Sequence, residues 1–394
     1  MNSNFLKRAL LGLFLTVCAT DVFAVPAFAR RYEVACSFCH QIFPKLNRMG
    51  ERFKDRGFRL ENEEAFNGSA WMKSAPVSGR ILGTRNLPEG RTARNIGYLK
   101  VLSAGNLGTR VSYWLDDAWL RANETTTHIK PDNAWVRLDL KPSGKLYLKG
   151  GRFELDVPFT QTRTSHLQPY TIYGTNTGLE TDTIGAFQEG VELGGEFGNT
   201  HMSAALVKGR NNAAVVDLAK SSGVGDPGRF DANLFLRASK RTVRARFGAF
   251  AYIGRNDLVA RLSAASVGVA RDGILRLGAD ASVRFDKFHV YGLAMYGQNS
   301  NSLLSAAKPA GTEESLGFAG GFLATDYYLR ENIAVTARVQ TRSVDLAGGN
   351  GRNTVTSFLP GVQVVVWKFK LSGQANFSSN NVARFSALQI ETAF

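Results

Sequence analysis

The chain has 394 residues, 44% of them apolar, with 40 Gly, 11 Pro and a formal net charge of +15. The absence of low-complexity tracts excludes a disordered or fibrous chain, and the many Val, Phe, Tyr and Thr residues point to short strands. The positive charge does not indicate nucleic-acid binding, because the arginines are spread along alternating segments with no basic patch or stacking-aromatic motif to organise them.

Residues 1–29 read as a secretory signal peptide. Lys7 and Arg8 form its charged start, Ala9 to Val17 its apolar core, and Ala27-Phe28-Ala29 a small-x-small cleavage site. No later apolar run approaches the roughly 20 residues of a transmembrane helix, so a membrane protein of this sequence is a barrel. Cys18 falls inside the signal. The mature chain therefore keeps Cys36 and Cys39 alone, and its fold does not depend on disulfide staples.

Residues 30–75 form the next unit, which opens on Cys36-Ser37-Phe38-Cys39-His40. This is the spacing of covalent c-type haem attachment: two thiols on one side of a helical turn reach the two vinyl groups, and the adjacent imidazole reaches the iron. A disulfide or a thioredoxin-like pair does not require the His, and a zinc site lacks a second Cys/His pair. Phe43 to Phe53 repeats its apolar residues at helical spacing, with Pro44 suited to a first helical position and Gly57 to a helix end. Gly50 is expected to allow backbone to approach the porphyrin. For the sixth iron position Met49 is nearest in sequence, against a plain packing role for it; Met72, His128, His166, His201 and His289 are the other candidates, each His also readable as an ordinary strand or loop residue.

From residue 76 to 394 the apolar period is two. Leu275, Leu277, Ala279, Ala281, Val283 and Phe285 alternate with Arg276, Gly278, Asp280, Ser282 and Arg284, and the same pattern recurs from Ala134, from Val243 and from Ile333. Charged residues on one face of strand after strand, short turns at Asp286-Lys287, Glu331-Asn332 and Lys141 to Gly144, and longer stretches at 210–229 and 298–314 indicate an outer-membrane barrel. So does the alternating final strand that ends on Phe394. At about 20 residues per strand and connection, the expected fold is all-β: a porin-like transmembrane antiparallel barrel of about 16 strands behind a short α-helical haem segment. Residues 156–182, Thr-rich with Pro158 and Pro169, are expected to form a loop folded into the lumen. Arg137, Arg244, Arg246, Arg276, Arg284, Arg338 and Arg342 are expected to supply lumen charge, some of it available to haem propionates, with an ordinary solvated wall the reading for most of them individually.

The signal, Cys36-Ser37-Phe38-Cys39-His40, Phe43-Pro44-Lys45-Leu46-Asn47 with Gly50 and Phe53, and then a porin-sized barrel resemble in order the fused monohaem cytochrome-porins of the Gram-negative outer membrane, best known from iron-oxidising bacteria. The local match covers about twenty residues, and over the barrel only the architecture matches. The resemblance implies one haem c held through Cys36 and Cys39, His40 as proximal ligand, and electrons passing inward from extracellular Fe(II) or another reductant to a periplasmic cytochrome acceptor. The haem segment is expected to plug the barrel. A diffusion porin with a structural or regulatory haem and a soluble periplasmic haem protein with a β-sandwich are the competing readings. Glu313 and Glu314 are the main acidic residues of the outer-loop candidates, so no tight iron-binding cluster is expected there.

Overall fold

The structure is a computed structural model describing residues 27–32, 34–60, 77–88, 94–121, 132–141, 145–159, 164–175, 184–208, 233–261, 267–300, 315–346, 349, 351–367, 369–379 and 385–393. The signal up to residue 26, Met72, His128, the stretch 210–229, Glu313, Glu314 and Phe394 lie outside these residues.

The amino-terminal segment begins with α1 (Ala27–Tyr32) and a four-residue turn of helix, α2 (Cys36–Cys39). A small ladder of β1 (His40–Ile42) and β2 (Lys45–Leu46) follows, then α3 (Arg48–Asp55). Sixteen antiparallel strands then close into a barrel. The first eight in chain order are β3 (Val77–Pro88), β4 (Arg94–Leu107), β5 (Val111–Arg121), β6 (Asn133–Asp139), β7 (Leu146–Glu154), β8 (Phe187–Phe197), β9 (Thr200–Val207) and β10 (Asn233–Arg241). The others are β11 (Ala245–Arg261), β12 (Val267–Phe285), β13 (Phe288–Asn299), β14 (Leu316–Arg330), β15 (Ile333–Asp345), β16 (Arg352–Val366), β17 (Phe369–Ser378) and β18 (Phe385–Ala393). The seam joins the last strand to the first, with Phe385 opposite Pro88 and Ala393 opposite Arg80.

Period-two alternation sorts each strand by face. In β12, Asp272, Arg276, Asp280 and Ser282 are buried inward, while Leu277, Val283 and Phe285 are exposed outward. The same sorting gives Leu323, Leu388 and Ile390 to the outside and Asp326 and Glu391 to the inside. An apolar exterior over a polar interior is the inverse of a soluble sandwich and fits a wall facing lipid. Among the described residues no helix is long and apolar enough to cross a membrane; the strands do the crossing.

The connections alternate in length. β12 and β13 are joined by Asp286-Lys287, where Asp286 takes a positive φ of 44° that an aspartate tolerates in a tight turn. Glu331-Asn332 joins β14 to β15, and the seam termini Val77 and Ala393 lie at this same short-turn end. Short turns of such barrels face the periplasm and long loops the outside.

Two inserts occupy the lumen. The amino-terminal segment enters at the short-turn mouth, anchored by the Ala27 amide to Ser78 Oγ at 2.7 Å and the Asn106 amide group to the Phe58 carbonyl at 2.8 Å. At mid-height the chain after β7 folds inward, as the sequence predicts. Leu155, Val157, Tyr170, Ile172 and Tyr173 pack there against Phe235, Tyr252, Ile274, Phe318 and Phe322 of the wall in one buried apolar cluster. Arg338, on the neighbouring strand β15, donates to the Gln168 and Pro169 carbonyls at 3.0 Å each and lies over the Tyr170 ring.

That arrangement corrects the expected solvated wall. Arg137 is buried on Asp139 and the Asp55 carbonyl, Arg276 bonds Asn299 and two wall carbonyls, Arg284 reaches Glu51, and Arg338 grips the loop. Arg244 sits exposed in the turn between β10 and β11 rather than on a lumen face. Arg137, Arg284 and Arg338 serve the inserts because the lumen contains protein to bind, whereas Arg276 is bonded within the wall itself.

Candidate functional site

The CxxCH stretch is built from local capping rules. α2 places Cys36 and Cys39 on one helical turn, and both are free thiols, Cys36 exposed and Cys39 half-buried. His40 follows at the start of β1, opposite Leu46, with its ring 5.3 Å from that of Phe43. Burial pushes both thiols above the ordinary cysteine range, and for Cys39 the neighbouring Cys36 adds to the shift.

Asn47 organises this turn. Its side-chain oxygen caps α3 by accepting from the Gly50 amide at 3.0 Å, and its amide group donates to the Ser37 and Phe38 carbonyls at 2.9 and 3.0 Å. Its backbone amide donates to the Cys39 carbonyl at 2.9 Å. One residue thus ties the start of α3 to the cysteine turn. The helix accordingly begins at Arg48, later than the sequence spacing predicts: Phe43-Pro44 makes the corner of the β1–β2 ladder, and the first satisfied cap is Asn47.

Gly50 has a different task from the predicted one. A Cβ there would collide with the Cys39 carbonyl and come within 2.9 Å of Leu46 Cδ2, so the missing side chain lets α3 lie against the cysteine turn itself. Gly57 ends the helix as predicted, at φ +65°. The Phe58 amide bonds the Phe53 carbonyl at 2.8 Å and the Gly57 amide the Lys54 carbonyl at 3.0 Å, a Schellman closure completed by Phe53–Phe58 ring contact at 5.9 Å.

These elements enclose an apolar cavity of about 1270 Å³, open mouth included, at the short-turn end. Cys36, Cys39 and His40 all line it, together with Gly50 and Phe53 of α3 and Phe58 beyond. Phe28 stacks on Phe58 at 4.9 Å, and Phe58 meets Trp114 and Trp135 of the wall at 5.3 and 5.8 Å. The predicted signal cleavage would remove Phe28. Tyr32, one helical turn on, also lines the cavity and donates to the Phe58 carbonyl at 3.0 Å.

Met49 is placed elsewhere. It is 39% exposed, at the edge of the helix face that buries Gly50 and Phe53, and it does not line the cavity. His166 is held by Gln374 at 2.9 Å, His201 lies 3.6 Å from Asp156, and His289 faces a separate void; none of the three lines the apolar cavity. Among the described residues no group of three or more His, Cys, Asp and Glu side chains surrounds a bare metal-ion site. The aromatic lining was missed by sequence reading, although Trp114 and Trp135 stand at inward positions of strands whose other inward residues, Ser112, Asp116, Arg137 and Asp139, are polar.

No family model matches the chain, and no curated protein matches it. Solved structures do. The outer membrane channel DcaP of Acinetobacter baumannii aligns at a TM-score of 0.55 and 12% identity over 81% of this chain and 96% of that one. Salmonella typhi OmpF in complex with daunomycin aligns at 0.56 and 12% over 81% and 97%. An anion-selective porin from Comamonas acidovorans gives 0.56 and 11% over 81% and 98%. At such identities the likeness is one of fold. The chain is a closed sixteen-stranded antiparallel barrel of porin type.

Proposed function

We propose that this barrel is a cytochrome-porin, which carries electrons from an extracellular reductant, most simply Fe(II), to a periplasmic cytochrome through one covalently held c-type haem. The observation that carries the reading is that Cys36, Cys39 and His40 line one apolar cavity inside the short-turn mouth. The donor set fits such a group: two free thiols on one turn and an imidazole beside them, all three lining a cavity whose other walls are largely aromatic and aliphatic. When bound, a haem supplies a one-electron centre whose potential its axial ligands and surroundings set.

The chain's own residues have distinct parts in this reading. Cys36 and Cys39 would hold the porphyrin and His40 would ligate its iron, while Asn47 and Gly50 fix the turn that presents all three. Tyr32, Phe53, Phe58 and Trp114 keep water from the cavity. Met49 has no part in it, and the sixth iron position is left without an assigned residue.

The diffusion-porin reading draws on the likeness in fold to a channel and to an anion-selective porin. Against it stands the apolar packing of Tyr170, Ile172 and Tyr173 across the lumen. The test of the electron-transfer reading is twofold. Denatured protein keeps haem-dependent peroxidase staining, and Fe(II) added outside intact cells reduces the haem of the wild type and not of His40→Ala. Staining removed by acid acetone, or a haem that stays oxidised with Fe(II) but responds to another donor, removes the covalent link or the iron respectively.

A further inference from the structure

A second void of about 600 Å³, opening included, lies beside α3 and meets the apolar cavity at Leu46 and Lys54, which line both. Its wall is of opposite character. Arg246, Arg284 and His289 stand on adjacent strands β11, β12 and β13: Arg284 is directly opposite His289, and Arg246 is opposite Ser282, two residues along from Arg284. Lys45, Lys54 and Arg241 complete the basic lining.

Three carboxylates also face this void; Glu51 and Asp55 are hydrogen-bonded, while Asp156 has only longer ion-pair contacts and its Oδ2 has no hydrogen-bond partner. Glu51 accepts from Arg284 at 2.9 Å, Asp55 pairs with Arg241, and Asp156 lies 3.5 Å from Arg237 and 3.6 Å from His201. Lys45 is turned to Asp326. Arg246 and His289 are left over. The closest ion pair of Arg246 is with Asp280 at 3.8 Å, an aspartate already held by Arg237 at 2.9 and 3.3 Å, and Arg246 Nε has no hydrogen-bond partner. His289 is 1% exposed and neither ring nitrogen has a partner. The Nε atoms of Arg241 and Arg284 are unmatched as well.

Buried donors that outnumber their acceptors, in a chamber with more cations than carboxylates, favour an entering anion over a vacant or neutral filling. We propose that this chamber is an anion site for a carboxylate or oxyanion group, gripped by Arg246 and Arg284 with His289 donating from one ring nitrogen. That chemistry has two sources. A porphyrin carboxylate reaching across the Leu46–Lys54 boundary would rest on the reading above; inorganic phosphate from solvent would not.

The experiment uses full-length protein as purified in detergent, with Arg246→Gln and Arg246→Lys beside the wild type and heat-dependent gel migration to show that each barrel is folded. Each is titrated calorimetrically with inorganic phosphate, and each reduction potential is measured. Saturable phosphate binding that weakens at least tenfold in Arg246→Gln and is largely kept in Arg246→Lys establishes a site for a free oxyanion. A wild type that ignores phosphate, with a potential that falls in Arg246→Gln and recovers in Arg246→Lys, establishes the porphyrin carboxylate as occupant, because losing a nearby positive charge favours the oxidised state. Phosphate binding and potential that are both indifferent to Arg246→Gln overturn the proposal. A protein carrying no haem still gives the phosphate reading, and absence of phosphate binding there overturns the site independently of the electron-transfer reading.

Discussion

The two inserts in the lumen are held by different forces. The amino-terminal segment is latched by charge: Lys45 to Asp326, Glu51 to Arg284, Asp55 to Arg241 and Arg59 to Asp139, each joining the segment to a wall strand. The loop at mid-height is seated by packing. Tyr170 stacks on Phe322 at 4.3 Å, and Ile172 and Tyr173 are each 1% exposed inside the apolar cluster. The comparison teaches that one lumen contains a part sensitive to pH and ionic conditions and a part that is not, because Coulomb attraction titrates and area burial does not.

The largest expected effect comes from removing a packed ring. Tyr170→Ala should cost roughly 3–5 kcal/mol of loop seating, as large-to-small core changes do. Single-channel recording in planar bilayers should show conductance rising from near baseline in the wild type to an open-pore level. A variant as silent as the wild type would mean that other parts of the chain seal the lumen.

Asp326 is the point where the two regions meet. It takes Lys45 from the segment, Ser165 Oγ of the loop at 2.9 Å and Tyr328 of its own strand at 3.3 Å. Asp326→Ala leaves Lys45 buried without its counter-charge and should cost about 3–5 kcal/mol, whereas Lys45→Met with Asp326→Leu should recover most of the loss. Thermal unfolding in detergent measures both. Equal losses in the single and double variants would show that the pair does not couple the inserts.

Acid should separate the regions more gently. Burial alone would raise the carboxyls of Glu51 and Asp55, but Arg284 with Arg246 for the first and Arg241 with His201 for the second hold both below the ordinary carboxylate range. A group with a depressed folded pKa contributes stability above its unfolded value, here near pH 4, and loses it as pH falls toward the folded value. Pepsin should therefore cut residues 34–60 increasingly below about pH 4 while spanning strands resist. Cleavage that is flat across that window would remove the electrostatic latch.

The smallest effect belongs to the cap. Asn47→Ala should cost about 1 kcal/mol, seen as faster amide exchange at Gly50 with the barrel unchanged. Unaltered exchange there would leave the cysteine turn held by the β1–β2 ladder alone.

Much of this was legible in the sequence for a simple reason. The strands carry a period of two over long runs, and their inner residues proved to be the ones the alternation selects, Arg276 and Asp280 against Leu277 and Val283. The Cys36–His40 spacing is likewise local, and so is the glycine stop at Gly57. What escaped is non-local. Trp114 reaches Phe58 across 56 positions of sequence and Lys45 reaches Asp326 across 281, pairings that no periodicity encodes. Met49 shows the limit of proximity as a guide: it is close to the cysteines in sequence and shares a helix side with Phe53, yet it sits in the first turn of α3, which begins only after Asn47, and is left 39% exposed.

The anchors of the segment beyond the signal lie on β4, β6, β10, β12 and β14, at Asn106, Asp139, Arg241, Arg284 and Asp326. They are distributed around the circumference, so an incomplete or misregistered sheet would present only some of them. Full docking of the segment requires these strands to stand in register at the same time, so it acts as a keystone for the ring.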